Sequence, residues 1–245
     1  MLLEIASLTK TFGGITAVDD LSLEIDRDSV HAVIGPNGAG KTTLFKLIAG
    51  THTPDTGTIS FDGTDLVGLD PHERVHCGLA KSYQITNIFP ELTVLQNVKI
   101  ARQRQEGHQW NFWSKTDDLP ELTETALEVL AEVGLEEQPE TVAKNLSHGE
   151  KRQLELAIAI ACDPELLLLD EPAAGMSQAE VGELRTLLER LAEEYTILFI
   201  DHNMDLVTET ADRITVMADG AVVSEGTPSE IQTDSQVQQV YLGGA

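Results

Sequence analysis

The stretch that decides the fold spans residues 35–43 and reads GPNGAGKTT. It fits G-x-x-x-x-G-K-[ST], the pattern of a phosphate-binding loop, or P-loop. Glycines let the backbone turn tightly and bring its N–H groups against phosphate oxygens. The amine of Lys41 can reach the outer phosphates, and the hydroxyl of Thr42 suits a Mg²⁺ ion. We therefore expect a nucleoside triphosphate to be bound by Gly35, Pro36, Asn37, Gly38, Ala39, Gly40, Lys41, Thr42 and Thr43.

The sequence on either side of this loop gives it the context that such a loop requires. Residues 29–34 (SVHAVI) indicate a buried strand, and residues 43–49 (TLFKLIA) indicate an amphipathic helix that ends at Gly50. A helix that begins at the loop points the positive end of its dipole at a bound anion. The order of strand, loop and helix argues against an ordinary glycine-rich turn.

The composition describes an acidic chain of 245 residues, with 16 Lys and Arg against 41 Asp and Glu and a net charge of −25. Nucleic acid and anionic lipid both require a basic face, so neither is an expected partner. Dispersed acid with few lysines resembles proteins of salt-loving organisms, and an acidic protein from an ordinary organism is the alternative. Cys77 and Cys162 are expected to be free core residues in a reducing cytoplasm.

Hydrophobic patterning divides the chain into three parts. Strands are predicted at 2–8, 17–25 and 58–61, and helices dominate the middle, one beginning after Thr93 and one over 122–133. The polar segment 104–120, which carries Trp110 and Trp113, is predicted as an insertion. After Leu146, strand patterns alternate with helix patterns. Strands are predicted at 166–169 and 196–200, a helix at 179–194, and a hairpin at 213–217 and 221–225.

Two further groups of residues suggest chemistry beside the P-loop. The strand at 166–169 ends in Asp170 and Glu171, where ligands bind at the carboxyl edge of a parallel sheet. Asp170 suits a Mg²⁺ ion, and Glu171 is then free to polarise a water molecule. Residues 146–150 (LSHGE) open a helix over 151–161, which makes Ser147 and Gly149 a second anion site or a plain helix cap.

In these residues the chain resembles the ATP-binding subunit of ABC transporters over essentially its whole length. Its P-loop is similar to the Walker A motif, residues 146–150 to the signature motif, and Asp170 and Glu171 to Walker B and the catalytic glutamate. Gln84 corresponds to the Q-loop and His202 to the switch histidine. The resemblance adds Phe12 and Val18 as adenine contacts, Glu150 as a signature residue, and Gln84 with Thr42 and Asp170 as metal ligands.

The chain departs from the family pattern at four positions. His148 replaces the second glycine of the signature motif, and Glu150 replaces its glutamine. Ser177 stands in the D-loop where aspartate is usual, which leaves a D-loop role open there. Ile158 occupies a position of the signature helix where many relatives have arginine, and packing is its expected role.

The resemblance implies an α/β fold: a P-loop NTPase core with a parallel sheet, an N-terminal antiparallel β-subdomain and an inserted α-helical subdomain. One domain would cover 1–245. Residues 1–83 and 163–245 would form the core with the β-subdomain, and residues 84–162 the helical subdomain. Catalysis would rest on Glu171, His202 and Lys41, with ATP and Mg²⁺ as cofactors.

The resemblance is strongest to the subunit that serves uptake of branched-chain amino acids. Residues 12–18 (FGGITAV), 87–94 (NIFPELTV), 170–176 (DEPAAGM) and 241–243 (YLG) carry it. An importer of urea or short-chain amides is the alternative, since SHG at 147–149 also looks like that relative. A soluble ABC ATPase outside transport is a further alternative, which the acidic charge and the lack of coiled-coil heptads disfavour.

Partners are implied by the resemblance as well. Two ATP-binding subunits, identical or related, would stack head to tail, so that Ser147 and Gly149 of one face the ATP held by the other. Integral-membrane permeases would dock at the residues just after Gln84, through Leu92. Trp110 and Trp113 would either extend that contact or pack on their own domain, and an external binding protein would act indirectly. No apolar run is long enough to cross a bilayer. We therefore expect a cytoplasmic protein, peripheral on the inner face of the membrane.

Overall fold

A computed structural model describes residues 1–82, 88–105 and 120–242 of the chain. Two sheets organise these residues, and both follow the strand patterns of the sequence. The strands are β1 (Leu3–Phe12), β2 (Ile15–Ile25), β3 (Val30–Ile34), β4 (Thr56–Phe61), β5 (Thr64–Asp65), β6 (Leu79–Ser82), β7 (Leu166–Asp170), β8 (Thr196–Ile200), β9 (Arg213–Ala218) and β10 (Ala221–Gly226).

The helices cover the faces of the larger sheet and form a separate group in the middle of the chain. They are α1 (Lys41–Ile48), α2 (Pro71–His76), α3 (Val94–Gln105), α4 (Pro120–Val133), α5 (His148–Ile160), α6 (Gln178–Leu191), α7 (Met204–Thr210), α8 (Pro228–Thr233) and α9 (Ser235–Leu242). Among the helices in these described ranges, none combines the length and the apolar character needed to cross a bilayer.

The larger sheet has six strands in the order β10-β9-β3-β8-β7-β6. Strands β3, β6, β7, β8 and β9 run parallel, and β10 pairs antiparallel with β9 in the predicted hairpin. Every residue of β3, β7 and β8 is buried, as expected of central strands covered on both faces. The loops that follow these three strands therefore leave the sheet at one common edge.

The smaller sheet is antiparallel, in the order β2-β1-β4-β5. Together with the central sheet it surrounds α1, because Leu44 and Phe45 of that helix share one buried cluster with Leu3 of β1, Phe61 of β4 and Leu198 of β8. The predicted α/β class, with a parallel sheet and an antiparallel β-subdomain, is confirmed. Strand β1 runs to Phe12 rather than ending at residue 8, because it pairs with β2 up to the Gly13-Gly14 turn.

Helices α3, α4 and α5 pack on one another and form the helical part of the fold, and α5 also contacts β6. Thr93 is confirmed as the cap of α3, because its hydroxyl accepts a hydrogen bond from Gln96 N at 3.2 Å. Helix α4 begins at Pro120, two residues before the predicted start, and ends at the predicted Val133, which Gly134 follows with φ 79°. The predicted insertion at 104–120 lies largely outside the described residues.

Helix α2 and strand β6 were not predicted, and they bring a buried arginine against α1. The Arg74 guanidinium donates hydrogen bonds to the carbonyl oxygens of Leu47 at 2.6 Å, Ile48 at 2.7 Å and Leu66 at 2.6 Å. Leu47 and Ile48 form the last turn of α1, where carbonyl groups lack partners within the helix. Arg74 therefore stabilises the end of α1 opposite the P-loop.

Candidate nucleotide-binding site

The P-loop lies between the two sheets, and two of its glycines are required by close backbone contacts. A Cβ atom on Gly40 would lie 2.2 Å from the carbonyl oxygen of Ala17 in β2, and Gly40 has φ 99°. A Cβ atom on Gly35 would lie 2.1 Å from the carbonyl oxygen of Met217 in β9. Larger residues at either position would push the loop away from the strands that hold it.

The amine of Lys41 lies over the loop that precedes it. It donates hydrogen bonds to the carbonyl oxygens of Gly35 at 2.6 Å and Pro36 at 3.0 Å. Burial lowers the pKa of Lys41, and the negative charge of Glu171 acts in the opposite direction. Space is open beside the Cα atom of Gly38, whose φ is 85°. The loop thus combines a half-buried cation with room for an anion, which is what a bound phosphate needs.

Glu171 follows β7 directly and adopts a left-handed backbone with φ 50°, which is uncommon for a residue with a side chain. Three hydrogen bonds fix this conformation. Its N–H donates to Ile200 in β8 at 2.8 Å, and its carbonyl oxygen accepts from Ala174 N and from Arg152 Nη2, both at 3.1 Å. Strain of this kind persists where the surroundings determine the backbone, and it recurs at catalytic positions.

Asp170 ends β7 and is buried, with 4% of its surface exposed. Lys81 of β6 places its amine 3.5 Å from Asp170 Oδ2. Among the described residues no group of three or more His, Cys, Asp or Glu side chains could hold a metal ion by itself. The available donors, the Asp170 carboxylate and the exposed hydroxyl of Thr42, are hard oxygens that suit Mg²⁺ when the nucleotide supplies further ligands.

His202 stands at the same edge of the sheet, immediately after β8 and Asp201, and 72% of its side chain is exposed. The Asp201 carboxylate is fully buried. It accepts hydrogen bonds from the N–H groups of His202 at 2.7 Å, Asn203 at 2.9 Å and Ala173 at 2.9 Å. Asp201 therefore joins the segment after Glu171 to the segment carrying His202. Asp201 was not predicted from the sequence, although an aspartate between a buried strand and a helix was a usable signal.

The signature residues 146–150 form the start of α5. Ser147 caps this helix, because its hydroxyl accepts a hydrogen bond from Glu150 N at 3.3 Å. The two oxygens of Glu150 accept hydrogen bonds from Gln138 Nε2 at 2.6 Å and from Ser147 N at 2.7 Å, and these bonds lower the pKa of Glu150. Both oxygens of Glu150 thus bond to the helix cap and to Gln138, and its contact with nucleotide stays a prediction. Ser147, Gly149 and Glu150 all line a cavity of about 270 Å³ beside α6.

The two residues expected to contact adenine have different surroundings. The ring of Phe12 is 42% exposed and packs edge-on against His52, with ring centroids 5.3 Å apart. The amine of Lys10 lies 5.3 Å from the same ring. Val18 is fully buried in the core, so its side chain has no exposed surface with which to contact adenine. Val18 points into the core because successive side chains of β2 face opposite sides of the sheet.

The remaining predicted positions are placed as follows. Ser177 caps α6 through a reciprocal pair of bonds with Glu180, which gives the serine a helix-capping role in place of the usual aspartate. Ile158 packs against the main core cluster, as expected. Cys77 and Cys162 are free thiols that pack partly buried on the core. Gln84, Trp110 and Trp113 lie outside the described residues.

A groove of about 760 Å³ runs beside this site, between α2 and β6 on one side and α3 and α5 on the other. Its lining is mostly apolar and includes Ile88, Phe89 and Ile158. Ile88 and Phe89 belong to the segment 84–92 that was expected to meet a membrane partner. Lys81, the neighbour of Asp170, lines the same groove.

Fold and site together define a P-loop ATPase. The P-loop with Lys41 follows β3, Asp170 ends β7 with Glu171 directly after it, and His202 comes after β8. These three parallel strands are neighbours in the sheet. Comparisons with known proteins agree. A family model described as ABC transporter matches residues 18–174, and one described as branched-chain amino acid ATP-binding cassette transporter matches residues 221–245. The chain belongs to the ABC transporter family of ATP-binding subunits.

Curated relatives cover nearly the whole chain. One is the high-affinity branched-chain amino acid transport ATP-binding protein BraF of Pseudomonas aeruginosa, 36% identical over 100% of this chain and 98% of its own length. The corresponding protein LivG of Salmonella typhimurium is 37% identical with the same coverage. A probable LivG of Archaeoglobus fulgidus is 33% identical over 99% of this chain and 95% of its own. None of these similarities supports the halophilic origin considered from the composition.

Solved structures give the same family. The ADP conformation of MJ1267, an ATP-binding cassette of an ABC transporter, superposes with a TM-score of 0.86 at 28% identity, covering 99% of this chain and 98% of that one. A nucleotide-free ATP-binding cassette from an ABC transporter superposes with a TM-score of 0.84 at 26% identity, covering 98% of both chains.

Proposed function

We propose that this chain is the ATP-hydrolysing subunit of an ABC importer and that the importer takes up branched-chain amino acids. The observation that carries the ATPase activity is the placement of Glu171, in a fixed left-handed conformation, directly after β7 at the edge of the sheet where the P-loop follows β3. The substrate class follows from the relatives BraF and LivG and from the C-terminal match at residues 221–245.

ATP would bind with its phosphates against the P-loop, from Gly35 to Thr43, and with Phe12 against adenine. The N–H groups at the start of α1 and the amine of Lys41 would hold the phosphate oxygens. Thr42 and Asp170 would hold Mg²⁺, and Gln84 would complete the ligand set. When bound, Mg²⁺ neutralises charge on the outer phosphates and fixes their orientation.

Hydrolysis requires a water molecule aligned with the γ-phosphate and donors for the charge that develops there. The carboxylate of Glu171 would accept a proton from that water, and the exposed His202 would contact the γ-phosphate. Lys41 would stabilise the developing negative charge. The backbone bonds that hold Glu171 and His202 supply the fixed orientation on which such catalysis depends.

A second ATP-binding subunit would complete each site. Ser147 and Gly149, at the positive end of α5, line a cavity beside α6. A helix N-terminus of this kind suits an anion. We therefore place it against ATP held by the P-loop of the other subunit, whether identical or related.

The membrane partners would dock in the apolar groove beside the ATP site. An apolar groove with Ile88, Phe89 and Ile158 in its lining suits the apolar face of a short helix from a permease subunit. The chain would then lie on the cytoplasmic face of the membrane, attached through the permease subunits. An external binding protein would choose the cargo without contact with this chain. Import of urea or short-chain amides, and a soluble ABC ATPase, are the competing assignments.

The decisive variant is Glu171→Gln, with Glu165→Gln just before the opposite end of β7 as the control. Because the γ-phosphate water would lose its base, we expect ATP hydrolysis to fall by about 100-fold or more while ATP still binds and joins two subunits. Phosphate release and size-exclusion chromatography with ATP measure the two effects. Undiminished hydrolysis in Glu171→Gln would sink the assigned role. Uptake of labelled leucine and of urea by cells with the full transporter separates the competing cargoes.

A further inference from the structure

Lys81 connects two regions of the molecule that have separate roles. In β6 it pairs in register with Leu168 of β7, and Asp170 lies two residues further along that strand. Side chains two residues apart point to the same face of a sheet, so Lys81 and Asp170 share one face. The resulting ion pair has a separation of 3.5 Å.

Both members of this pair are buried. The side chains of Lys81 and Asp170 are 7% and 6% exposed. A buried carboxylate without a cation beside it is costly, so the lysine amine offsets part of the cost of burying Asp170. Asp170 is also the carboxylate that suits Mg²⁺. Two cations, the lysine amine and a divalent ion, therefore compete for the same acidic group.

We propose that Lys81 is a positioning residue that lowers the affinity of Asp170 for a divalent cation and links that affinity to occupation of the apolar groove. The second part of this proposal, the link to the groove, rests on the proposed function, because the permease subunit is taken as the occupant of the groove. Lys81 lines the groove and contacts Asp170, so an occupant that displaces its amine weakens the repulsion felt by the metal ion. By reciprocity, a bound divalent cation strengthens binding of the occupant.

The first test measures Mn²⁺ binding to the ATP-bound subunit by electron paramagnetic resonance, without turnover. Lys81→Met removes the competing charge, and we expect Mn²⁺ to bind roughly tenfold more tightly. Lys81→Arg keeps the charge and should match the native chain. Lys144→Met is the matched control, because Lys144 forms an exposed ion pair with Glu91. That control should change Mn²⁺ affinity by less than about twofold.

Unchanged or weaker Mn²⁺ binding in Lys81→Met would overturn the proposal. If this variant does not fold, Lys81→Gln, which keeps a donor of similar length without the charge, gives the same measurement. The second test repeats the titration in the assembled transporter. Assembly should tighten Mn²⁺ binding to the native chain and have a smaller effect in Lys81→Met, whereas an equal effect in both would refute the link to the groove. Failure to assemble with permeases would count against the proposed function, while the first test still decides the role of Lys81.

Discussion

Arg152 and Glu171 are joined by a hydrogen bond of 3.1 Å from Arg152 Nη2 to the Glu171 carbonyl oxygen. The same nitrogen donates to the carbonyl oxygen of Asp170 at 3.2 Å, and Nη1 pairs with Glu155 at 2.6 Å. Arg152 belongs to α5, whose first residues are the proposed contact with the ATP of a second subunit. One side chain therefore connects the signature helix of this chain to Glu171, the proposed catalytic base.

Arg152→Ala should lower kcat by about tenfold or more and leave KM for ATP nearly unchanged. Without the arginine, the strained backbone of Glu171 loses one of the bonds that hold it, and the carboxylate loses its fixed orientation. Steady-state phosphate release over a range of ATP concentrations separates the two constants.

The control for this substitution is Arg190→Ala, which removes another arginine that donates to a carbonyl oxygen, in this case that of Glu132. Arg190 lies far along α6 from the site, and its loss should leave both constants near those of the native chain. If Arg152→Ala raised KM at constant kcat, Arg152 would act on ATP binding rather than on the orientation of Glu171.

Asp201→Ala should destabilise the fold by about 3 kcal/mol, because three backbone N–H groups lose a buried charged acceptor. Activity should fall as well, since Ala173 and His202 would no longer be held together. Urea denaturation and phosphate release measure the two effects.

Asp201→Asn keeps one acceptor oxygen and should lie between the native chain and Asp201→Ala in stability. Asp205→Ala, at an exposed position of α7, provides the control and should stay within about 0.5 kcal/mol of the native chain. Equal stabilities for Asp201→Ala and the native chain would show that the three hydrogen bonds contribute little.

His31 makes stability depend on pH in a defined window. It lies in β3, 2% exposed, with Nε2 2.7 Å from the Thr215 hydroxyl. Burial lowers the pKa of His31 to about 4, and nearby Glu225 and Arg213 act in opposite directions. The unfolded chain, with a pKa of about 6.5, therefore binds the proton more readily between these values.

The contribution of neutral His31 to the free energy of unfolding is therefore complete above pH 6.5 and falls as the pH drops towards 4. At pH 5 the free energy of unfolding is lower by about 2 kcal/mol. His31→Gln should remove this part of the pH dependence. Urea denaturation of both proteins at pH 7.5 and pH 5 makes the comparison. Identical changes in the two proteins would mean that other groups cause the acid sensitivity.

The net charge of −25 predicts that salt stabilises the folded chain. Self-repulsion between carboxylates acts over a longer distance when ions are scarce, because the Debye length grows as salt is removed. We expect a lower Tm in dilute buffer than in molar KCl, measured by calorimetry. The same Tm in both would refute this expectation and, with it, the argument from composition for a salt-loving source.

Local sequence predicted the parts of the site that depend on neighbouring residues. The P-loop, the cap at Ser147 and the acids after β7 are contiguous motifs, and their residue types follow from the chemistry they perform. Lys81, Arg152 and Asp201 were missed, because their meaning comes from partners that are distant in sequence. Asp201 and Ala173, for example, are 28 residues apart.

The same limit applies to details of the site. The burial of Val18 depends on the packing of β2 against the core. The bond from Gln138 to Glu150 joins residues that are twelve positions apart. Helix α2 and strand β6 are short, and their stability comes from tertiary contacts rather than from a long hydrophobic period.

The helix that receives the phosphates is held firmly at both ends. Strands β2 and β9 enclose the loop at its start, and the buried Arg74 satisfies the carbonyl groups at its finish. A receptor that is already rigid loses little entropy when its ligand arrives. The binding energy of ATP is then not consumed in ordering α1, and more of it remains to draw two subunits together and move the membrane proteins attached to them.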